Sequence, residues 1–182
     1  MRVLFDVAIN HCSEQHHWFV DAIHLKEKSK YKDFFIWTKT PQTRFSQVRI
    51  IFQGICESNW EALPTSLKEG EEGEEKEYYF HRFFPSQPDL NYANPKVLVE
   101  MTKVLVEWKE KGVDGFRADA AACLWKEEGT SCENLPQTHL ILRFFRCALD
   151  YLQEGTVLLA EACQPPSQII HYFGQDDECN AA

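Results

Sequence analysis

Arg117, Asp119 and Glu161 have the residue types and the spacing for nucleophilic and acid–base chemistry. Arg117 and Asp119 close the stretch GVDGFRAD and are two residues apart, so in a strand their side chains point to the same face. A guanidinium beside a carboxylate favours the ionised form, which suits a nucleophile. Glu161 follows the apolar run VLLA. Apolar surroundings favour the neutral carboxylic acid, which suits a general acid.

The predicted strands place these side chains at one edge of a sheet. Apolar runs predict strands over residues 2–7, 113–118 and 156–160. Functional groups of parallel α/β folds lie at the carboxyl ends of the strands. If the last two strands are neighbours, carboxylates at their ends lie roughly 5 Å apart, the separation of a retaining glycosidase pair. The alternative is a plain Arg/Asp ion pair and a solvated glutamate.

Helices separate these strands along the chain. The run 95–111 has apolar residues at helical spacing, with Asn94 as N-cap and proline in the first position. Residues 136–154 predict a second helix, and residues 167–174 predict a short third one. The order is strand, long insertion, helix, strand, helix, strand, helix. This alternation predicts an α/β fold with a parallel sheet and right-handed crossovers.

Composition excludes several classes of function. The 182 residues are 44% apolar, and the net charge of −9 argues against nucleic acid or an anionic membrane as partner. No apolar run approaches the ~20 residues of a spanning helix. The seven cysteines form no C-x-x-C pair. We therefore expect reduced, buried thiols in a cytoplasmic protein, while the oligomeric state stays open.

Four short motifs resemble the α-amylase superfamily, glycoside hydrolase family 13, and they occur in the order of that family. They are DVAINH (6–11), QPDLN (87–91), GFRAD (115–119) and LLAEA (158–162). Three longer stretches resemble the trehalose synthase branch of the family: YYFHRFFPSQPDLNYANP, EGTSCENLPQTH and LLAEACQPPSQIIHYFGQDDEC. Each motif alone is weak, but the four together are a strong signal. The resemblance implies conversion of maltose to trehalose by retaining, intramolecular glucosyl transfer.

The same resemblance implies a partial TIM (β/α)8 barrel with an inserted, irregular second domain. Residues 1–10 would hold barrel strand 3, residues 11–94 the insertion, and residues 95–182 barrel strands 4 and 5 with their helices. Together they would form one incomplete catalytic domain. The family has eight βα units and an NHD-like fourth block, and no NHD follows Glu161. We therefore expect the 182-residue chain alone to be inactive.

Roles for individual residues follow from the resemblance. Asp119 would be the nucleophile that forms a β-glucosyl-enzyme, and Glu161 would be the acid/base. Arg117 and His11 would line the pocket for the reacting glucose, and Asp6 would brace Arg117. Without the neighbouring motifs, His11 would be interpreted as a core histidine.

The remaining site predictions are a sugar contact and a metal site. Gln164 would contact the sugar, with an ordinary loop amide as the alternative. Asn10 and Asp89 match positions that bind calcium in many relatives, but two oxygens are too few for an ion that takes 6–8 ligands. Relatives also tend to have an acidic residue near Lys126. No cofactor is required, and calcium is an optional one.

Three functions stay open at this point. The first is an α-glucosyl-transferring enzyme that acts on a small disaccharide, maltose or trehalose. The second is an α-glucosidase similar to oligo-1,6-glucosidase. The third is a non-catalytic remnant. The sequence does not separate transferase from hydrolase, because that depends on how well the closed site excludes water.

Overall fold

The computed structural model describes residues 1–63 and 76–182, and these residues form two compact units. The first unit contains Met1–Asn10, Tyr92–Lys126 and Cys132–Ala182, and the second contains His11–Asn91 and Glu127–Ser131. The predicted insertion, 11–94, thus differs from the second unit at its end and lacks the short segment Glu127–Ser131. The main elements, in chain order, are β1 (Leu4–Ala8), α1 (His17–Leu25), β2 (Trp37–Thr38), β3 (Trp60–Ala62), β4 (Tyr78–Phe80), α2 (Pro95–Glu110), β5 (Gly115–Asp119), α3 (Pro136–Leu152), β6 (Val157–Ala160) and α4 (Pro166–Ile169).

The first unit is built on a parallel sheet with the strand order β1-β5-β6. Both strand pairs are parallel, and each predicted strand is present with its bounds shifted by at most two residues. The register aligns Asp6 with Arg117, and Arg117 with Leu159. The prediction of a partial barrel with adjacent parallel strands is confirmed.

One face of this sheet is apolar and buried, and the other carries the polar side chains. Val7, Phe116 and Leu158 are buried on the first face. Phe5, on the same face, stacks on Trp108 of α2 with ring centroids 4.3 Å apart. Because side chains alternate along a strand, Asp6, Arg117 and Asp119 all project from the opposite face. The strand residues on that face are exposed or half-buried, except Gly115, which is buried.

The helix ends match the sequence signals. The side chain of Asn94 accepts a hydrogen bond from the backbone N–H of Lys96 at 3.1 Å, so Asn94 is the N-cap of α2. Helix α3 begins at a proline, which has no N–H to leave unpaired in the first turn. The short third helix is α only over Pro166–Ile169, and a 3-10 turn continues it to Phe173.

The last residues of the chain extend the sheet beyond β6. The backbone N–H of Asn180 donates to the carbonyl of Leu158 at 2.7 Å, and that of Ala160 donates to the carbonyl of Ala181 at 2.8 Å. Leu159 and Ala181 form a parallel bridge. Buried Arg146 of α3 fixes this edge, because it donates to Asn180 Oδ1 at 2.6 Å.

The second unit is more regular than the sequence indicates. The stretch 11–94 was expected to be irregular, but it contains α1 and an antiparallel sheet of order β2-β4-β3. An aromatic cluster packs there, with Phe19 and Tyr79 rings 4.9 Å apart. The strands have two or three residues, too few for an alternating pattern to be recognised. Most of the acidic run 68–77, predicted to be a surface loop, lies outside the described residues.

Two further expectations concern membranes and thiols. Among residues 1–63 and 76–182, no helix is long and apolar enough to cross a membrane. All seven cysteines are free thiols. The expectation that they are all buried is wrong, because Cys147 and Cys163 are exposed and Cys12 is partly so.

Candidate active site

Arg117 lies at the centre of the charged cluster on the open face of the parallel sheet. Its Nη1 donates to both carboxylate oxygens of Asp6 at 2.8 Å and to Asp119 Oδ1 at 3.1 Å. The first two contacts cross from β5 to β1, where the register places the two residues opposite each other. The hydrogen bond to Asp6 is the main reason why the pKa of Arg117 is raised. The guanidinium therefore stays protonated beside Asp119.

Asp119 and Glu161 lie at equivalent positions at the ends of the neighbouring strands β5 and β6. The register aligns Ala118 with Ala160, so the residues that come next are Asp119, the last of β5, and Glu161, the first after β6. The backbone N–H of Glu161 donates to the carbonyl of Ala118 at 2.9 Å, which continues the parallel ladder to this point. Both carboxylates therefore lie at the carboxyl edge of neighbouring strands, which are about 4.8 Å apart in a sheet.

The carboxylate of Glu161 accepts a hydrogen bond on each oxygen. The backbone N–H of Ala120, the residue after Asp119, donates to Oε2 at 3.0 Å. The thiol of Cys163 donates to Oε1. The surroundings are therefore more polar than the preceding run VLLA indicates. The strand β6 ends at Ala160, so Glu161 is the first residue of the following loop. Its carboxylate can therefore accept the backbone N–H of Ala120.

His11 and Gln164 make contacts within their own units. His11 belongs to the second unit, where its Nε2 lies 3.1 Å from Gln87 Nε2 and its ring packs against Phe83. Gln164 belongs to the first unit. Its Oε1 accepts from Asn134 Nδ2 at 2.9 Å. Sugar contacts by His11 and Gln164 stay predictions.

The contacts of Asn10 do not fit a calcium ion. Asn10 is fully buried, and its Oδ1 accepts a hydrogen bond from Lys126 Nζ at 2.7 Å. An ammonium group thus already supplies positive charge at the oxygen that would bind the ion. In the second unit, Asp89 Oδ1 accepts the backbone N–H of Arg82 at 2.8 Å. In the described part of the chain, no group of three His, Cys, Asp or Glu side chains could hold a metal.

The sequence interpretation missed Cys163 and Ala120. Both have positive φ angles, 44° and 53°, which are uncommon for residues other than glycine. No sequence signal marks such a conformation in a cysteine or an alanine. The position of Cys163, two residues after Glu161, was the one available hint.

Comparison with known proteins identifies the family of this chain. The whole chain, residues 1–182, matches the family described as "Alpha amylase, catalytic domain". The chain belongs to the alpha-amylase catalytic-domain family. Among curated members of this family, it is 44% identical to trehalose synthase/amylase TreS of Mycolicibacterium smegmatis over 186 aligned residues, which cover 100% of the chain and 30% of TreS. It is 39% identical to trehalose synthase of Thermus thermophilus, with 100% of the chain and 18% of that enzyme covered.

Solved structures of family members have the same fold. Trehalose-6-phosphate hydrolase (TreA) of Bacillus licheniformis superimposes with a TM-score of 0.77 at 25% identity, over 99% of the chain and 32% of TreA. Trehalulose synthase MutB also gives 0.77, at 26% identity, over 100% of the chain and 34% of MutB. The chain spans about a third or less of the length of these relatives.

Proposed function

We propose that these residues carry the catalytic pair of a retaining enzyme that acts on α-glucosides, and that the complete protein converts maltose to trehalose. The single observation that supports this most is the alignment of Asp119 and Glu161 at the ends of two neighbouring parallel strands, with Arg117 bonded to Asp119. Trehalose synthases at 39–44% identity over the whole chain favour maltose as the substrate.

The geometry suits a two-step mechanism. The Asp119 carboxylate attacks the anomeric carbon of the non-reducing glucose, while Glu161 donates its proton to the glycosidic oxygen, and the second glucose leaves. Glu161, now ionised, then removes a proton from the anomeric hydroxyl of that glucose. The hydroxyl oxygen displaces Asp119, and two inversions give retained configuration. Arg117 Nη1, which donates to Asp119 Oδ1, orients the Asp119 carboxylate for attack in the first step and receives it again when the second step releases it.

A hydrolase is the second candidate. The chain is 39% identical over 131 residues to the α-glucosidase of Culex pipiens, which covers 70% of this chain and 20% of that enzyme. In a hydrolase, water takes the place of the anomeric hydroxyl in the second step. The same two carboxylates serve both reactions, so the products decide between them.

The test compares the 182-residue chain with the complete open reading frame that contains it. Each is incubated with maltose, and trehalose and glucose are separated by chromatography. We expect trehalose from the complete frame and none from residues 1–182 alone, because a preorganised pocket must enclose the sugar. Asp119→Asn should lower turnover by at least roughly 10³-fold. Glucose as the sole product would favour the hydrolase, and no turnover by the complete frame would favour a non-catalytic remnant.

A trapping experiment assigns the nucleophile directly. A fluorinated glucosyl fluoride slows the second step, so the glucosyl-enzyme accumulates and survives digestion. We expect the label on the peptide that contains Asp119. A label on Glu161 or Asp6 would contradict the assignment. Asp119→Asn, which retains the shape of the side chain, is the matched control and should remain unlabelled.

The sequence suggested Asn10 and Asp89 as calcium ligands, but the contact between Lys126 and Asn10 favours an unmodified protein that does not bind the ion. We expect the thermal midpoint to be the same with calcium chloride as with a chelator, since an ammonium group already lies on Asn10. Lys126→Glu replaces this cation by a ligand, and its midpoint should rise with calcium concentration by mass action. Lys126→Gln is the uncharged control. A rise in the unmodified protein would show that calcium binds despite Lys126.

A further inference from the structure

The carboxylate of Glu161 lies between two donors, one from the residue after β5 and one from the loop after β6. The N–H of Ala120 reaches Oε2 from the end of β5, and the thiol of Cys163 reaches Oε1 from the loop after β6. The terminal torsion of a glutamate side chain is broad, so the chain itself does not fix the plane of the carboxylate. Two donors on opposite oxygens do fix it.

We propose that Cys163 is a positioning residue for Glu161, and that it sets which carboxylate oxygen faces the glycosidic bond. This inference rests on the proposed role of Glu161 as acid/base. A proton donor must lie within hydrogen-bond reach of the oxygen that it protonates. With Oε2 bonded to the backbone, the Cys163 thiol controls rotation of the other oxygen.

The charges around Cys163 keep it a thiol, which is the form that donates. The hydrogen bond to Glu161 is the largest reason why the pKa of Cys163 is raised, followed by burial and by the charge of Glu161. Asp119 raises the pKa further, and Arg117 lowers it. Because the thiolate is the reactive form, Cys163 should react slowly for an exposed cysteine.

The backbone of both donors supports the same interpretation. Ala120 and Cys163 are in the left-handed region, at φ angles of 53° and 44°. Residues other than glycine adopt this region at a cost, and such strain concentrates at functional sites. Here the conformation aims both donors at one carboxylate. A surface cysteine without such a contact would gain nothing from this backbone conformation.

The contact is tested first without any assay of turnover. The protein is treated with iodoacetamide at a series of pH values, and mass spectrometry measures the rate at each cysteine. Cys147, the other exposed cysteine, is the internal reference. We expect Glu161→Gln to raise the rate at Cys163 relative to that at Cys147 and to move its pH profile to lower pH. An unchanged ratio and profile would overturn the proposed contact.

Turnover of the complete open reading frame then tests positioning. Cys163→Ala should lower kcat for maltose roughly tenfold to a hundredfold with little change in KM, since a displacement of ~1 Å costs about that much. Cys163→Ser retains a donor and should recover part of the loss. Cys147→Ser should behave as the unmodified protein. An unaltered kcat and pH profile in Cys163→Ala would refute the role. Absence of turnover in the unmodified frame would instead refute the proposed function, while the alkylation result would still stand.

Discussion

Gly115 controls the spacing of the two strands at whose ends the proposed catalytic carboxylates lie. It begins β5, with Leu4 on one side and Val157 on the other. A Cβ built at this position would lie 2.6 Å from the carbonyl oxygen of Val157, 2.7 Å from its Cβ and 2.7 Å from Leu4 Cδ2. The exposed Leu4 side chain can rotate away, but the backbone of Val157 cannot. Gly115→Ala therefore forces β5 and β6 apart.

The size of the effect follows from these contacts. To bring the oxygen contact from 2.6 Å to an ordinary 3.4 Å, the strands must separate by about 0.8 Å. Overpacking of this kind typically costs about 1–3 kcal/mol. Reduced entropy of the unfolded chain offsets up to about 1 kcal/mol of it. The same displacement carries Asp119 away from Glu161, and a misplacement of ~1 Å can lower kcat about 10²-fold.

Gly112→Ala is the matched control. Gly112 has a φ of +93°, and nothing lies within 4 Å of an added Cβ. Alanine there costs roughly 1–2 kcal/mol of backbone strain without touching the sheet. Urea unfolding followed by circular dichroism gives both stabilities, and maltose turnover gives kcat. We expect both variants to lose stability, and only Gly115→Ala to lose turnover beyond its loss of folded protein. Equal turnover in the two variants would refute the reasoning.

Three further predictions concern the ion pairs and two of the cysteines. Asp6→Ala removes the two hydrogen bonds from Arg117 Nη1 to Asp6 and leaves the one to Asp119. The kcat should fall about tenfold or more, with a change in unfolding free energy below about 1 kcal/mol because the side chain of Asp6 is 63% exposed. Arg146→Met deprives the buried carbonyl of Thr156 of its donor and should cost about 3 kcal/mol in urea unfolding, whereas Lys103→Met, which breaks an exposed pair, should cost less than about 1 kcal/mol. Burial raises the pKa of Cys12 and Cys179 from 9.0 to about 12. As the pH rises, the unfolded chain therefore loses these protons before the folded protein does. The contribution of the two thiols to the free energy of unfolding is fully present below pH 9 and falls between pH 9 and 12, by about 1.4 kcal/mol per pH unit for each thiol. Replacing both cysteines by alanine should flatten that slope, and an unchanged slope would argue against the assignment.

The parallel strands and the helices α2 and α3 were predicted correctly from the sequence alone. Asn94 and Pro95 specify a helix start by local hydrogen bonding and a fixed φ, which need no distant contact. Arg117 and Asp119 share a face because side chains alternate along any strand. The motif order then placed Glu161 directly after the next strand. These features are local, or they repeat at a spacing that can be recognised along the chain.

Only the tertiary structure decided how the site is held. The donors to Glu161 are a backbone N–H and a thiol in left-handed conformations, and neither alanine nor cysteine signals that conformation in a sequence. The contact of Lys126 with Asn10 joins residues 116 positions apart. The antiparallel sheet of the second unit has strands too short for a pattern to be recognised. In each case the deciding interaction is between residues distant in sequence, and its energy depends on geometry that exists only after folding.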